Sequence, residues 1–244
     1  MDFKGKTVLI TGGASGIGYL CGKCFSEKGA NIVLIDFNEE GLKIAEKEIG
    51  NALTIKTDVR NFSEVKDSVE KAIRKFNSID ILINCAGGNS ARIFNSPMEF
   101  CDRPIEHIDW GIDVNLKGVM YYCHEVLRNM RENKKGVIIN LGSITGEDGD
   151  ICGTDYSVAK SGIMYGLTKS LAQLGAKYGI RVCCVSPGPI LTRPAMAYMK
   201  TLIGRAAETQ ELVDFIMYLA SEKAAYITGV NYFFDGGRNV MPRG

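Results

Sequence analysis

Seven short runs of apolar, mostly β-branched residues recur along the chain: KTVLI (6–10), NIVLI (31–35), ALTIKT (52–57), IDILIN (79–84), GVIINL (136–141), IRVCCV (180–185) and VNYFF (230–234). A strand with one wet face alternates apolar and polar positions, whereas runs that are apolar throughout suit strands buried on both faces, as in a parallel sheet. Between them the apolar positions recur at helical spacing over 16–28, 38–49, 62–76, 104–133 and 158–178. In the last of these, Ala159, Ile163, Leu167, Leu171 and Leu174 mark one stripe. Strands alternating with helices imply βαβ units with right-handed crossovers, and so predict an α/β fold: a doubly wound sheet of about seven parallel strands with helices on both faces. No linker, charge run or internal repeat divides residues 1–244, which read as a single domain.

Composition narrows the choice of partner. With 29 Lys and Arg against 28 Asp and Glu, no global field points to nucleic acid or an acidic membrane, so a small molecule is the expected ligand. The start, MDFKGKTVLITGG, lacks the pattern of a signal peptide, and no apolar run approaches the roughly 18 residues of a membrane helix. The expected location is therefore the cytoplasm, where the eight cysteines stay thiols. CGKC (21–24) is formally a CxxC, but it falls inside a helical pattern without a second such pair, which reads as buried packing rather than zinc or redox chemistry. His107 and His124 are the only histidines, and that scarcity counts against a histidine-based triad or a zinc-dependent alcohol dehydrogenase.

TGGASGIG (11–18) lies between a predicted strand and a predicted helix, the context in which a glycine-rich loop binds a dinucleotide. Gly12 permits the tight turn, Gly16 lets backbone approach a pyrophosphate, and Gly18 lets the helix pack closely on the sheet. The helix amino terminus then offers N–H donors to the phosphates. Asp36 follows the second strand, 18 residues beyond Gly18, where a carboxylate can accept from the adenosine ribose hydroxyls and would repel a 2′-phosphate. No Arg or Lys at 13–17 offsets that repulsion, so NAD(H) is expected over NADP(H). A helix cap at a strand end is the other reading of Asp36, and the two are compatible.

TDYSVAKSG (154–162) places Tyr156 and Lys160 four apart, on one face of a helix. By themselves they read as a surface pair as readily as an active-site acid with its tuning cation. With the glycine loop in place, however, the chain resembles the short-chain dehydrogenase/reductase family over essentially its whole length. The resemblance rests on seven motifs in order: TGGASGIG, DV (Asp58, Val59), NCAG (84–87), VN (Val114, Asn115), GSI with Ser143, YSVAK (156–160) and SPGPILT (186–192). It implies a Rossmann-type fold and hydride transfer between a nicotinamide and a secondary alcohol or ketone.

The resemblance also implies roles. Ser15 and Ile17 join Gly12, Gly16 and Gly18 in the phosphate loop. Asp58 would bond the adenine amino group and Val59 would cover the ring, while Asn84, Ala86 and Gly87 would bring backbone close to the cofactor. Pro187, Gly188, Ile190 and Thr192 would hold the nicotinamide end. Tyr156 would be the acid/base. A free phenol titrates near ~10, too high for a base at neutral pH, and a neighbouring Lys160 ammonium and an oxidised nicotinamide would both favour the phenolate. Tyr156 and Lys160 would also touch the cofactor, Ser143 would donate to the substrate oxygen, and Asn115 would steady a water that links Lys160 to solvent. Plainer readings stand beside three of these: Asn84 fixing the central sheet, Ser143 capping a loop, and Asn115 bonding helix backbone.

Substrate identity falls to segments 88–110, 144–153 and 192–208. Relative to 3-oxoacyl-carrier-protein reductases the first is long and the last is short, which with Asp36 argues against a simple fatty-acid-synthesis role; the short last segment suggests an open pocket, and AGGN (86–89) resembles members acting on sugars or sugar acids, so a polyol, sugar or sugar acid is expected. A 3-oxoacyl thioester and a hydroxysteroid or bile acid are the alternatives, the latter through an apolar wall of Met196, Tyr198 and Met199. Arg92 and Arg193 either grip a substrate carboxylate or phosphate or are ordinary surface arginines. From another class, a catalytically silent NAD-binding sensor or scaffold would be expected to lack Ser143, Tyr156 or Lys160. The resemblance further implies a homotetramer packed on the helices near 104–133 and 154–178.

Overall fold

A computed structural model describes residues 1–242. Seven strands, β1 Thr7–Thr11, β2 Asn31–Asp36, β3 Ala52–Lys56, β4 Ile81–Asn84, β5 Gly136–Leu141, β6 Ile180–Pro187 and β7 Asn231–Phe234, form one sheet in the order β3-β2-β1-β4-β5-β6-β7. Every pairing is parallel. The chain winds outward from β1 to β3, crosses back to β4 beside β1, and winds the other way to β7. All carboxyl ends therefore lie at one edge, with a crevice where the order reverses.

Helices α1 Gly16–Glu27, α2 Glu39–Ile49, α3 Phe62–Phe76, α4 Ser90–Ile93, α5 Ile105–Ile112, α6 Gly118–Asn133, α7 Thr145–Asp148, α8 Thr154–Ser161, α9 Thr168–Ala176 and α10 Thr209–Ala220 complete the fold. Alternate residues of each strand feed two cores, as buried parallel strands require. Val8, Ile10, Ile32 and Leu34 pack with Cys21, Phe25 and Leu42 of α1 and α2 and with Leu212 and Ile216 of α10. Leu9, Val33 and Ile35 face the other way, toward Val65 and Val69 of α3 and Tyr122 and Val126 of α6. Asn38 and Asn61 cap α2 and α3 by accepting from Gly41 N and Ser63 N, which sets where those helices begin.

Two long helical stretches read from the sequence are interrupted. Residues 104–133 contain a π-helical segment at Asp113–Lys117, and 158–178 contain another at Gly162–Leu167; the latter helix also begins earlier, at Thr154. The apolar period survives both, so period alone does not reveal them. Helix α10, absent from the sequence reading, covers the end of one core and packs on α1.

Among the thiols, Cys123 is pushed up to about 12, and Cys183 and Cys184 to about 11, in each case chiefly by burial. Each therefore holds its proton more tightly in the folded than in the unfolded chain. Their contribution to stability is complete below about pH 9, the ordinary thiol value, and is lost as pH climbs through 11 to 12. Exposed Cys101 is expected to react first with a thiol reagent at neutral pH, followed by half-buried Cys85 and Cys152, with Cys21, Cys123, Cys183 and Cys184 reacting only on unfolding. Mass-resolved alkylation with and without denaturant reads this order.

Candidate active site

The loops after β1 to β4 surround a cleft of about 460 Å³. At one end Asp36 closes β2, and its carboxylate accepts from Ala14 N at 3.1 Å and Asn38 N at 2.9 Å. It thus fixes the turn while remaining part of the cleft wall. Asp58, also in the wall, is chelated by Arg60, with Nε at 2.9 Å from Oδ1 and Nη2 at 2.5 Å from Oδ2. The guanidinium holds the Asp58 carboxyl below its usual range, against an opposing effect of burial. Val59, buried, and exposed Phe37 supply apolar surface beside these acids.

The glycine loop is built by close approach. A Cβ on Gly12, whose φ is +70°, would stand 2.9 Å from Ala86 N, and one on Gly18 would stand 2.2 Å from Gly12 O. Ala86 N itself donates to Thr11 Oγ1 at 3.1 Å, stitching the ends of β1 and β4 together. Ser15 and Ile17 face the same cleft; Ser15 is exposed at the start of α1, and its hydroxyl makes no capping bond. Gly16, the first residue of α1, has open space around it.

Beside Gly87, in the wall of this cleft, stands Lys160, with the Tyr156 ring near its ammonium and Ser143 just past the strand end that anchors it. Ser143 lies two residues beyond β5; its Oγ accepts from Thr145 N at 3.2 Å, so the loop-capping reading holds, and the hydroxyl proton has no acceptor among the described residues. Buried Lys160 donates from Nζ to Leu141 O at 2.7 Å, and the same Nζ is 5.6 Å from the centre of the half-buried Tyr156 ring. Helix α7 packs so tightly on α8 that a Cβ on Gly146 would stand 2.8 Å from Ser161 N. The strand end carrying Ser143 and the helix carrying Tyr156 are therefore one rigid assembly.

Asn115 lies in the first π-helical segment, fully buried. Its Nδ2 donates to Gly88 O and Gly111 O, both at 2.9 Å, and its Oδ1 accepts from Gly88 N at 2.9 Å. The amide has no N–H left for a water, so the backbone-bonding reading describes the side chain. A Cβ on Gly87 would stand 2.5 Å from Asn115 Oδ1 and 3.5 Å from Lys160 Nζ, which brings the β4 loop, this segment and the ammonium to one point.

For the side chain of Asn84 the sheet-fixing reading is the one the geometry supports. Its side chain is not offered to the cleft; Nδ2 donates to Asn140 Oδ1 at 2.9 Å, directly across the β4–β5 pairing, and Asn140 in turn donates to Thr168 Oγ1 at 3.2 Å. The side chain of Ile190 is likewise in the core, so only its backbone is free to meet a ligand. Pro187 ends β6, and Gly188 touches β7 so closely that a Cβ would stand 2.7 Å from Asp235 Cβ. Exposed Thr192 folds back on Ile190 O through its N–H at 2.7 Å. Both histidines lie elsewhere, His107 stacked on Phe94 and His124 bonded to Glu125.

The short chain dehydrogenase family matches residues 6–202. The chain belongs to that family. Oxidoreductase UcpA of Salmonella typhimurium is 35% identical, over 97% of this chain and 95% of that protein. The 3-oxoacyl-[acyl-carrier-protein] reductase FabG of Thermotoga maritima is 34% identical, over 97% and 99%. The crystal structure of levodione reductase superimposes with a TM-score of 0.90 at 26% identity, covering 98% of this chain and all of that one.

This short chain dehydrogenase also has an ion pair that the sequence reading missed. Arg103, in segment 88–110, donates to Asp155 Oδ1 at 2.6 Å, to Ser90 Oγ at 2.5 Å and to Cys152 O at 2.9 Å, while Ser90 Oγ donates to Asp155 Oδ2 at 2.6 Å. Both charged side chains are 0% exposed. Asp155 is the neighbour of Tyr156, so the pair fastens segment 88–110 to helix α8. An acid inside the YSVAK helix start was the available clue. Phe37, Arg60 and Trp110 of the cleft wall were also missed; none carries a pattern that separates it from an ordinary surface residue.

Removing one partner leaves a buried charge unpaired. Arg103→Met or Asp155→Leu alone is expected to destabilise the chain by about 3–5 kcal/mol, a fall of about 10 °C or more in Tm for a chain of this size. The double replacement is expected to recover part of that loss. Thermal unfolding followed by circular dichroism measures all three.

Proposed function

We propose that this short chain dehydrogenase uses NAD(H) to interconvert a secondary alcohol and its ketone, on a polar substrate such as a polyol, sugar or sugar acid. The observation that carries the reading is Lys160, held on Leu141 O beside the Tyr156 ring and against Gly87 in the wall of a cleft whose other end is closed by Asp36. The residues present fit a dinucleotide. Backbone packing at Gly12 and Gly18 leaves no room for side chains, the Ser15 hydroxyl is free, and α1 presents its amino terminus. Asp36 suits the ribose hydroxyls and repels a 2′-phosphate, and Arg60 does not offset it because its guanidinium is engaged by Asp58.

When bound, the nicotinamide supplies the hydride donor or acceptor. The protein's part is the proton and the geometry. The Tyr156 phenol exchanges a proton with the substrate oxygen, and the Ser143 hydroxyl donates to that oxygen and steadies its developing charge. Lys160 keeps a positive charge beside the phenol; Leu141 O takes one of its three N–H groups and leaves two for the cofactor ribose. Asn115 holds Gly88 and the loop against which Lys160 rests.

The name of the Thermotoga relative keeps a 3-oxoacyl thioester as the second reading. The presence of Ser143, Tyr156 and Lys160 together weighs against a silent NAD-binding sensor. No helix among the described residues is long and apolar enough to cross a membrane; we place the enzyme in the cytoplasm, as a homotetramer packed on the helices near 104–133 and 154–178, with light scattering as the check.

Purified protein incubated with NAD+ and polyols, sugar acids, hydroxyacyl thioesters and hydroxysteroids should raise NADH absorbance with a member of the first two classes. On that substrate Tyr156→Phe is expected to lower kcat by about 10²–10⁴-fold, and full activity in that variant would sink the mechanism. NADH should bind more tightly than NADPH in fluorescence titration, and Asp36→Ala should narrow the difference at least tenfold; tighter NADPH binding by the native protein would remove the role given to Asp36.

A further inference from the structure

Tyr156 stands in the first turn of α8, a helix that begins only two residues before it, at Thr154. The first turn is where a helix frays, because its N–H groups find no partner within the helix. A capping side chain normally offsets this, but the capping position is Gly153, which has no side chain to offer. Lys160, one turn on, is anchored on Leu141 O. The turn that carries the phenol is held instead by segment 88–110.

The holds are placed along the run into Tyr156. Asn89 Nδ2 donates to Asp150 Oδ2 at 2.9 Å, and Arg103 Nη1 donates both to Cys152 O at 2.9 Å and to Asp155 Oδ1 at 2.6 Å. Ser90 Oγ donates to Asp155 Oδ2 at 2.6 Å and accepts from Arg103 Nη2. Helix α5 lies against the same carboxylate, so closely that a Cβ on Gly111 would stand 1.6 Å from Asp155 Oδ2. The buried Asp155 side chain thus has both oxygens bonded and backbone packed on one of them, which leaves it a single place in the fold.

A buried ion pair gains little stability over apolar residues of similar volume, because the cost of desolvation offsets the attraction. What apolar residues cannot reproduce is direction. The planar guanidinium takes Asp155, Ser90 and Cys152 O at fixed angles, and the backbone carrying Tyr156 is fixed with them.

We propose that Arg103, Asp155 and Ser90 are positioning residues for Tyr156: they fix the first turn of α8 so that the phenol meets the substrate oxygen in the geometry proton transfer requires. They act through the backbone of α8 and not by touching the reacting atoms. The proposal rests on the oxidoreductase reading above and adds these residues to its machinery. A displacement of about 1 Å at a reacting group costs on the order of 10²-fold in rate, so a frayed first turn is felt in turnover.

The test uses Arg103→Met/Asp155→Leu, which removes both charges together and is expected to be more stable than either single variant. A purely structural pair would return kcat along with stability. A positioning pair returns stability without kcat: on the substrate found for the wild type, the double variant should turn over about 10–100-fold more slowly, with KM and the NADH dissociation constant within about twofold of native values. Arg103→Lys keeps a charge beside Asp155 without the fork, and guards against a double variant that does not fold. It should lose about tenfold in kcat, and native kcat in it overturns the role.

Hydrogen exchange gives a readout that needs no turnover. Ser157 N donates to Gly153 O at 2.9 Å and closes the first backbone bond of α8. In the double variant the amides of Ser157 and Val158 should exchange about tenfold faster than in the native protein, while those of α6 keep their rates. Equal exchange overturns the hold on the first turn, and so does a kcat that recovers in step with stability. Turnover indifferent to both variants removes the positioning role and leaves the hydride-transfer reading standing. Exchange governed by the pair in a protein that turns over no hydroxy compound sinks the hydride-transfer reading, and the positioning role falls with it.

Discussion

The site depends on one topological constraint, the reversal of strand order between β1 and β4 in an all-parallel sheet. Neighbouring strands normally send their following loops to the same side, but here the chain leaves β1 toward one flank and β4 toward the other, so the two loops part and a crevice opens. The parting is also bridged at its base, because Ala86 N bonds to Thr11 Oγ1 and the backbone at Gly12 lies against the backbone at Ala86. A cleft that is open at the rim and locked at the floor is what a rigid extended ligand needs. Nothing larger than hydrogen fits at Gly12 or Gly18 without reopening that floor.

Above the floor, helix α8 is held by polar groups that the core cannot release. Lys160 is anchored on Leu141 O, Asp155 on Arg103 and Ser90, and the β4 loop on Asn115. Each of these groups is buried, and a buried charge or amide stays in the fold only while its partners stay in place. The penalty for separating them converts ordinary packing into a fixed relation between Ser143, Tyr156 and Lys160. The same physics explains the chain from Asn84 through Asn140 to Thr168, which crosses the sheet interior and ties β4 and β5 to the start of α9.

The legible part of the fold was that governed by local period and by backbone geometry. Strands buried on both faces announce themselves as unbroken apolar runs, and the seven runs read from the sequence coincide closely with β1 to β7. The places of Gly12, Asp36, Ser143, Tyr156 and Lys160 were legible because each is set by position relative to a strand end or a helix turn. What escaped depends on the partner across space. Arg103 lies 52 residues from Asp155, and nothing local distinguishes it from other arginines. Asn84 was open between two roles, and the choice was made by Asn140 standing opposite it in register. The π-helical segments were invisible because inserting one residue into a turn barely disturbs an apolar stripe, although the first of them is what turns Asn115 toward Gly88 and Gly111.

Charge is also sorted along the cleft. Asp36 and Asp58 stand at the end nearest β2 and β3, while Lys160 stands beside Tyr156 and against Gly87 of the cleft wall. Between them lies the amino terminus of α1, with its own partial positive charge. A ligand with hydroxyls at one end and an anion at its middle finds complementary groups in only one orientation, and the reverse orientation would place acid against acid. Because the acids at the far end are tied down by Ala14 N, Asn38 N and Arg60, they cannot swing across to neutralise the ammonium. Lys160 therefore keeps no carboxylate partner among the described residues, and its charge stays beside the Tyr156 phenol.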